Sequence, residues 1–492
     1  MKRSAYVLSV AVAAAILGLS GGASAAEFGA LALKDYSAAA ELIPAVSPAF
    51  VKNQPSTFPA PAGSGATHAF ATGYRPPTPE ESEYLKGKLQ RIESVPGNVY
   101  AMLRRTRAPG ENPGLPSAVK NWEYLPKVGN QGRQGSCSAW AACYYYKTYQ
   151  EAKEHGWRRP SPDSDPEHVM SPAFCYNIAN KQSNEGSALS MVMRNIADYG
   201  SATWKDMPYS QGDYKVWPSE QAWRNAIQYR ARKVGYIEIG TDKGINDLKQ
   251  NLANGDLAVV ALNVGSNFEE YPCRGFCEGV DKRVLYRPSG ETSGHALTVI
   301  GYDDTITYNE DGRPGRGAFL LVNSWGTDYG IKDPDVGTGG FIWVSYSYVR
   351  DNAADPNAYV MVDREAYQPT AFATVGVSHP KDACLNISIQ GGNSKDAPEW
   401  NFNPWYLTCR NRLKDARVVL DISDYELSPS KSVWLKVYNA DVYNEHGTIT
   451  FAGVQRAGEA ARAASGVPLE TVPGSDVYLE ISPPPPDSNR SR

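Results

Sequence analysis

The sequence predicts an α+β fold in which two subdomains meet at a cleft. Segments with apolar residues at helical spacing come first, between residues 136 and 252. Short β-branched or aromatic runs, separated by Gly, Asp and Pro, follow from residue 257 onward. Helices that precede strands are typical of an α+β unit. Because 492 residues are too many for one ordinary core, two or three folded units are expected.

Composition and charge exclude several classes of partner. Hydrophobic residues make up 42% of the chain and charged residues 21%, as in soluble globular proteins. The formal net charge of −4 is small for this length. Neither nucleic acid nor a membrane surface is therefore an expected partner, because each would require a clustered basic face. The oligomeric state does not follow from these numbers.

The first 25 residues have the pattern of a signal peptide. Lys2 and Arg3 precede an apolar stretch over residues 5–19, and Ala23-Ser24-Ala25 follows as a cleavage site. An uncleaved membrane anchor is the alternative, but the apolar stretch is shorter than the ~20 residues of a spanning helix. We therefore expect a secreted or periplasmic protein with no membrane span after signal cleavage.

Residues 26–114 are rich in Ala, Pro, Ser and Gly, and their prolines interrupt any long element. One helix is expected there, from Glu80 to about Ile92, with Tyr84 and Leu85 on one face. Two interpretations of this region stay open. It is either an inhibitory propeptide, because it separates the signal peptide from the next folded unit, or a linker.

The next unit, residues 115–362, is expected to contain helices and then strands. Its helices are indicated by apolar residues at helical spacing, by capping serines and by glycines that follow their last turns. They run from Ser136 to His155, from Ser171-Pro172 onward, from Ala188 to Tyr199, and through Ile245–Leu252. The strands are expected over residues 257–264, 295–301, 319–322 and 341–345.

A small β-rich domain is expected over residues 366–480. Residues 433–438 alternate between apolar and polar side chains, and residues 448–454 have strand composition. Asn444-Glu445-His446-Gly447 supplies turn residues between them. The proline-rich tail, residues 481–492, is predicted to be disordered.

Seven cysteines in an exported protein meet an oxidising environment. The odd number leaves at least one thiol outside intramolecular pairs, and Cys137 is the candidate. Local pairs are plausible for Cys273 with Cys277 and for Cys384 with Cys409. If Cys137 is free, six cysteines remain for up to three bridges. Cys143 and Cys175 lie on two expected helices, where two buried thiols are the alternative to a bridge.

Cys137 is the first member of a group that can carry acyl transfer. A cysteine attacks a carbonyl carbon only as a thiolate, so nearby positive charge or dipoles must lower its pKa. The helix expected to begin at Ser136 supplies unpaired backbone donors and the positive end of a helix dipole. An isolated cysteine is more often a small buried hydrophobe, so the assignment depends on its companions.

The companions are a histidine, an asparagine and a glutamine. His295 would pair with the thiolate and later protonate the leaving amine. Asn323 would orient the imidazole through its amide oxygen, under the cover of Trp325. Gln131, six residues before Cys137, would stabilise an oxyanion together with the backbone N–H of the cysteine. Each alone also has an ordinary structural explanation, as a core histidine, a turn asparagine or a solvated loop glutamine.

The chain order Cys, His, Asn, with a tryptophan two residues after the asparagine, resembles the papain-like cysteine peptidases. The resemblance covers about residues 115–348. It rests on Gln131-Gly132-Arg133-Gln134-Gly135-Ser136-Cys137, Ser293-Gly294-His295-Ala296, Asn323-Ser324-Trp325-Gly326 and Gly339-Gly340-Phe341-Ile342-Trp343-Val344. Two positions depart from the family signature C-G-[SA]-C-[WY]: Gln134 replaces its first cysteine, and Ser138 replaces its aromatic residue.

The resemblance implies a secreted cysteine endopeptidase with a papain-like fold. It implies Cys137 as nucleophile, His295 as proton shuttle, Asn323 as its orienting partner and Gln131 as oxyanion donor. It also places Gly186 on the rim of the cleft, where its backbone would pair with an extended substrate; an ordinary turn is the alternative. Proteins or peptides are the expected substrates, and no cofactor is expected.

Two other functions stay open. One is a different acyl transferase that uses the same thiol chemistry, such as a transglutaminase-like enzyme, which would join peptides. The other is a non-catalytic binding protein that keeps the fold. No metal site is expected, because Cys273 and Cys277 lack a second pair of soft ligands. Asp303-Asp304 and Asp333-x-Asp335 have only a loose calcium-like pattern.

Overall fold

The computed structural model describes residues 70–92, 114–271, 284–380, 385–404, 416–425, 427–428, 430–440 and 444–482. The expected signal peptide and residues 483–492 of the expected tail lie outside these ranges. Within them, no helix has both the length and the apolar character needed to cross a bilayer.

Within the described ranges, most of the helices lie before residue 257. The α-helices are α1 (Pro79–Leu85), α2 (Cys137–Ala139), α3 (Thr148–His155), α4 (Pro172–Ala179), α5 (Leu189–Tyr199), α6 (Glu220–Ala226), α7 (Asp242–Ala253), α8 (Ser266–Glu269) and α9 (Tyr346–Asp351). A π-helix, Trp140–Lys147, joins α2 to α3, and two 3₁₀ turns span Pro166–His168 and Ile227–Tyr229.

Strands follow in three sheets. The strands are β1 (Gln90–Arg91), β2 (Ala118–Lys120), β3 (Ala231–Glu238), β4 (Ala258–Val264), β5 (Val284–Leu285), β6 (Ser293–Glu310), β7 (Arg313–Val322), β8 (Phe341–Ser345), β9 (Asn357–Asp363), β10 (Ala371–Ser378), β11 (Leu385–Gly392), β12 (Trp400–Phe402), β13 (Ala416–Asp421), β14 (Ser432–Asn439), β15 (Gly447–Arg456), β16 (Arg462–Ala463), β17 (Leu469–Thr471) and β18 (Asp476–Ile481). The first sheet has the order β1-β3-β9-β4-β6-β7-β8-β5, with β2 paired to β6. The α+β prediction is confirmed.

The helix expected from Ser136 to His155 is continuous but changes its winding. Eight of its residues, Trp140–Lys147, are π-helical, and Gly156 ends it in the left-handed region at φ 74°. This stretch is fully buried against the sheet. A π-helical segment displaces side chains from the positions that they would have in an α-helix. The side chains that follow Cys137 therefore pack under the cleft differently from those of a regular α-helix.

The helix expected over residues 80–92 is shorter than predicted. It begins with a capping box between Thr78 and Glu81 and ends at Leu85. Gly87 then adopts φ 73°, and Gln90 pairs in parallel with Gly235 of β3. The predicted helix is too long at its C-terminal end. The residues after Gly87 do not continue it but join the edge of the first sheet.

The β-rich unit after residue 366 consists of two sheets. One has the order β13-β10-β15-β16, with β17 paired to β15, and the other has the order β12-β11-β14-β18. Strand β18 includes Ile481, which was expected to be the first residue of the tail. Arg230, just before β3, donates to Asp421 and Asp424, and Arg364 also donates to Asp424. These charged contacts join the unit to the chain next to β3 and β9 of the first sheet.

Cys143 and Cys175 form a disulfide between the π-helix and α4, so of the two possibilities left open for this pair the bridge is observed and the buried thiols are not. Both residues are buried, as expected for elements that pack face to face. Among the described cysteines, Cys137 alone is free. The other four lie outside the described residues, so their suggested pairing remains a prediction.

Candidate active site

Cys137 is the first residue of α2 and is completely buried. Its Sγ accepts the backbone N–H of Ala296 on β6 at 3.4 Å. The loop before it is fixed from two sides: the N–H of Gln131 donates to Ser324 O at 2.8 Å, and that of Gly135 donates to Asn184 Oδ1 at 2.9 Å. The thiol therefore lies where the first turn of a helix faces β6.

His295 and Asn323 are brought together by adjacent strands. His295 Nε2 lies 2.8 Å from Asn323 Oδ1, which also accepts the N–H of Ser324 at 2.7 Å. Because Oδ1 is an acceptor, Nε2 carries the proton in neutral histidine, and Nδ1 has the lone pair. The ring of Trp325 covers the imidazole, with a centroid separation of 4.6 Å.

The thiol and the imidazole are neutral in this state. Burial raises the pKa of Cys137 to about 11, although the N–H groups of Ala296 and Gly73 oppose this rise. Burial also lowers the pKa of His295 to about 4, against the opposing effect of its bond to Asn323. Nδ1 has no hydrogen-bond partner among the described residues, so it is not bonded to the sulfur.

Gln131 presents its amide nitrogen to the same cleft. Its Oε1 accepts the hydroxyl of Ser324 at 2.6 Å, which fixes the orientation of the amide. Its Nε2 donates to Gln134 O at 2.8 Å and to the carbonyl oxygen of Ala71 at 3.1 Å. The indole N–H of Trp325 donates to the same carbonyl at 3.1 Å. The carbonyl oxygen of a peptide in the cleft can thus accept a hydrogen bond from the Gln131 side-chain amide.

Residues 70–75, the cleft segment, run in extended form over Cys137. The N–H of Ser187 donates to Gly73 O at 3.0 Å, and the N–H of Arg75 donates to Ser187 O at 3.4 Å. On the opposite wall, the N–H of Tyr74 donates to Gly294 O at 3.2 Å. The segment therefore bonds to both walls of the cleft and covers the sulfur.

Gly186 lies on the rim of the cleft, in the left-handed region at φ 91°. A Cβ at this position would overlap the carbonyl group of Gly73, so only glycine permits this close approach. The hydrogen bonds to the segment are nevertheless made by the next residue, Ser187. The pairing of Gly186 with a substrate backbone therefore remains a prediction.

The cleft segment is anchored at its ends by aromatic side chains. Phe70 stacks on Trp325 with centroids 4.7 Å apart and an interplanar angle of 8°. Tyr74 is 3% exposed, and its hydroxyl donates to Asp355 Oδ2 at 3.1 Å. Burial of the Tyr74 ring and partial burial of the Phe70 ring contribute roughly 2 kcal/mol or more, which favours the covered state.

A buried carboxylate fixes the chain immediately after the segment. Glu81 of α1 is inaccessible to solvent and accepts two bonds from Arg75, at 2.6 and 2.7 Å. Lys181 approaches the same carboxylate at 3.0 Å. Although burial opposes ionisation, Arg75 and Lys181 lower the pKa of Glu81 to about 2. The group is therefore an ionised link between α1 and the loop after α4.

Two clusters of acidic side chains are candidates for binding a metal ion. Asp333 and Asp335 share the ammonium of Lys120, at 3.1 and 2.7 Å, so a side chain occupies the place that a cation would take. Glu151, Glu154 and His155 come within 4.8 Å of one another. The carboxylate of Glu151 already forms an ion pair with Lys147 at 2.5 Å.

Several residues of the site have no recognisable signal in the sequence. Tyr74 belongs to a region with no regular pattern, and Asp355-Pro356-Asn357 has the composition of an ordinary turn. Only their contacts across the cleft mark them as functional candidates.

Part of the chain matches a protein-family model, and solved structures have been found that are similar to it. Residues 117–345 match the family model described as papain family cysteine protease. Xylellain, a cysteine protease from Xylella fastidiosa, has 20% identity and a TM-score of 0.42, with 60% of this chain and 96% of that chain covered. The cysteine protease and lectin-like domains of Cwp84 from Clostridium difficile have 12% identity and a TM-score of 0.37. The match covers 73% of this chain and 87% of that chain. No curated protein matches.

Proposed function

We propose that residues 117–345, which match the papain family cysteine protease model, form a cysteine peptidase domain with Cys137, His295, Asn323 and Gln131 as its catalytic residues. The observation that carries this proposal is the 2.8 Å bond from His295 Nε2 to Asn323 Oδ1. That bond leaves Nδ1 unprotonated and without a partner in the described chain, on the strand whose next residue contacts the sulfur. A base next to a helix-start cysteine is the arrangement that activates a thiol.

The proposed mechanism follows from these atoms. Nδ1 of His295 takes the proton of the Cys137 thiol, and the resulting thiolate attacks the scissile carbonyl carbon. The oxyanion accepts bonds from Gln131 Nε2 and from the Cys137 backbone N–H. The imidazolium then protonates the leaving amine, which leaves a thioester on Cys137. Water, deprotonated by His295, hydrolyses the thioester and restores the thiol.

We further propose that the enzyme is an endopeptidase. The cleft segment enters beside Trp325 at Phe70 and leaves beyond Ser187 at Arg75, so the cleft accepts a chain that continues at both ends. Denatured casein under reducing conditions is the test. Fragments that contain internal sequence support the proposal, whereas uncleaved casein favours a binding protein and joined peptides favour an acyltransferase.

We propose that residues 70–92 are an inhibitory propeptide rather than a linker. The cleft segment bonds to both walls and lies over the completely buried sulfur of Cys137. Beyond it, Glu81 bonds Arg75 and Lys181, and Tyr84 of α1 donates to Asp198 of α5 at 2.7 Å. A linker would not require such buried polar contacts, which are costly unless satisfied.

Acid is expected to loosen the propeptide. Because the pKa of docked Glu81 lies near 2, below its ordinary value of 4.5, ionised Glu81 stabilises docking. This stabilisation is complete above about pH 4.5 and is lost as the pH falls towards about 2. Hydrogen exchange of residues 70–85, corrected for intrinsic rates, should therefore accelerate across this range.

The matched control for this acid effect is Glu81→Gln. Glutamine keeps the shape of the side chain but cannot carry the charge that binds Arg75 and Lys181. Residues 70–85 of this variant should exchange rapidly at pH 5.5, and their corrected exchange rates should rise little further at pH 3. Strand β14 of the second unit, whose sheet partners are β11 and β18, should respond to neither change. A pH response of the same size in wild type and Glu81→Gln would contradict the role of Glu81.

We also propose that the protein is exported after cleavage of its first 25 residues. The charged, apolar and small-residue pattern at the N-terminus supports this proposal, and so does the disulfide between Cys143 and Cys175. Disulfides persist in oxidising compartments and are rare in reducing ones. N-terminal sequencing of protein collected outside the cytoplasm should begin at Ala26, and a sequence beginning at Met1 would contradict cleavage.

A further inference from the structure

A cavity of about 580 Å³, the side cavity, lies next to residues 127–130, the stretch that leads to Gln131. Its second wall is the loop over residues 159–163, and three aromatic side chains also line it. Neither the proposed catalytic residues nor the cleft segment belongs to the described residues that line this cavity. Pockets that bind small molecules have volumes of roughly 300–1,000 Å³. The side cavity is therefore separate from the substrate cleft and large enough for a small organic ligand.

Hydrogen bonds fix the walls of the side cavity. The N–H of Lys127 donates to Pro160 O at 3.0 Å, which joins the two walls to each other. The hydroxyl of Tyr144 donates to Lys127 O at 2.6 Å, and the N–H of Gly326 donates to Gly129 O at 3.0 Å. The walls are thus tied to the π-helix and to the chain after β7, so the cavity has a pre-formed shape.

Aromatic side chains form the apolar side of the side cavity. The ring centroids of Trp140 and Tyr144 are 4.5 Å apart, and Trp204 lies 6.1 Å from the first and 6.0 Å from the second. All three rings line the cavity. Gly129 faces them without a side chain, and a Cβ there would come within 2.2 Å of the Trp140 ring. Because aromatic rings pack well against a further ring in edge-to-face or offset geometry, this side suits an aromatic ligand body.

Arg159 brings a guanidinium group to the side cavity. Its Nη1 is buried without a hydrogen-bond partner, and in the part of the chain that the structure describes its side chain forms neither a hydrogen bond nor an ion pair. The preceding residue differs, because Arg158 pairs with Glu123 at 2.7 Å. A guanidinium carries N–H donors in a planar fork that matches the two oxygens of a carboxylate. Arg159 therefore offers unused donors of the geometry that a carboxylate accepts.

Both the backbone and the charge of Arg159 are in unfavourable states. Its φ is 53°, in the left-handed region that a residue with a Cβ seldom adopts. Burial lowers the pKa of its guanidinium, although Tyr144, Tyr145 and Asp333 oppose this effect. Unfavourable backbone conformations of this kind cluster at binding sites. A negatively charged ligand would offset the loss of hydration that burial imposes on the cation.

Two further charged side chains, Lys127 and Asp163, line the side cavity. Neither forms an ion pair within the described ranges, so Asp163 does not neutralise Arg159. Asp333, which acts on Arg159 from outside the lining, is already paired with Lys120 at 3.1 Å. The lining thus carries two positive charges and one negative charge. This excess of one positive charge favours a ligand with a single negative charge, such as a carboxylate.

We propose that the side cavity binds a carboxylate that carries an aromatic body, with Arg159 as the residue that holds the carboxylate. The two carboxylate oxygens accept N–H bonds from the guanidinium, and the aromatic body lies among Trp140, Tyr144 and Trp204. A free aromatic acid and an aromatic C-terminal residue of a peptide both present this chemistry. Since the lining contains none of the proposed catalytic residues, this binding goes beyond the proposed peptidase function.

Ligand titration followed by NMR tests the proposal on the full chain carrying Cys137→Ala, which has no nucleophile. The probes are phenylpropanoate and N-acetylphenylalanine, each compared with its uncharged amide. Each acid should bind at least about 10-fold more tightly than its amide, because only the acid presents two anionic oxygens to the guanidinium. Tighter binding of N-acetylphenylalanine than of phenylpropanoate would identify a peptide C-terminus as the better ligand, and the reverse a free acid. Either order supports the proposal.

Two neighbouring arginines provide the matched comparison. Arg159→Met should bring the ratio of acid to amide affinity to about 1, because it removes the donor fork. Arg158→Met removes an adjacent cation that does not line the cavity, and it should leave this ratio unchanged. Trp204→Leu should weaken the binding of acid and amide alike, since it removes a ring but no charge. Thermal unfolding of each variant verifies folding.

Equal affinities of acid and amide for the Cys137→Ala chain would overturn the proposal, and this comparison needs no substitution in the cavity. Failure of both acids to bind at millimolar concentration would overturn it as well. A preference for the acid that persists in Arg159→Met would contradict the role of Arg159. Because no peptide is cleaved in these titrations, an inactive peptidase would contradict the proposed function alone.

Discussion

Replacing Cys137 by alanine should lower kcat/KM for peptide cleavage by about 10⁵-fold or more, because no other group can form the thioester. His295→Ala should cause a loss of similar order. Without Nδ1 the thiol keeps its proton at neutral pH, and without the imidazolium the leaving amine is not protonated. Effects of residues that act as one unit are not additive, so the double variant should be no worse than either single variant.

Thr298→Val is the matched control for these substitutions. Thr298 lies on the same strand as His295, is buried, and donates its hydroxyl to Ala141 O at 3.0 Å. Loss of this hydrogen bond should lower the free energy of unfolding by about 1 kcal/mol, and it removes no group that takes part in the reaction. Thermal unfolding of each variant verifies folding. Casein cleavage by Cys137→Ala at the wild-type rate would refute the assignment of the nucleophile.

Gly73→Val should accelerate both alkylation of Cys137 and peptide cleavage by about 100-fold relative to the wild-type chain. A Cβ at residue 73 would overlap the backbone carbonyl of Gly135, which cannot move without displacing the loop before Cys137. The segment must therefore leave the cleft, and the hydrogen bonds of Gly73 and Tyr74 to its walls are lost. The sulfur then becomes accessible, and the burial that raises its pKa is relieved.

Gly114→Val provides the control for this change. Gly114 has no atom within 4 Å of its Cβ position, so the same substitution meets open space. It should leave alkylation and cleavage within a factor of about 2 of the wild type. If Gly73→Val reacted no faster than Gly114→Val, the cleft segment would not be the barrier, and the inhibitory role of residues 70–92 would fail.

Many of the helices and strands of residues 115–362 could be predicted from the sequence, for identifiable physical reasons. The serine cap of α4 is observed, with Ser171 accepting the N–H of Phe174, and α5 ends before Gly200 as expected. Such signals are local, so they can be read without knowing the fold. The strands that carry His295 and Asn323 were also indicated by short β-branched runs.

What the sequence could not provide depends on contacts between distant segments. The partner of Glu81 at Lys181 and the partner of Tyr74 at Asp355 lie 100 and 281 residues away. No periodicity in residues 70–75 indicates that they occupy a cleft, because an extended segment bonds through its backbone. The disulfide of Cys143 and Cys175 was left open for the same reason, since it joins two helices whose packing the sequence does not specify.

The pH dependence of Cys137 alkylation by iodoacetamide, located by mass spectrometry, tests most directly whether this thiol and His295 act as a pair. The wild-type chain should react slowly at neutral pH, as a buried thiol with a pKa of about 11 would. The Gly73→Val chain should react rapidly between pH 5 and 7, and adding His295→Ala should abolish that reactivity. A Gly73→Val chain that reacts only above pH 8, or equally well without His295, would contradict the account.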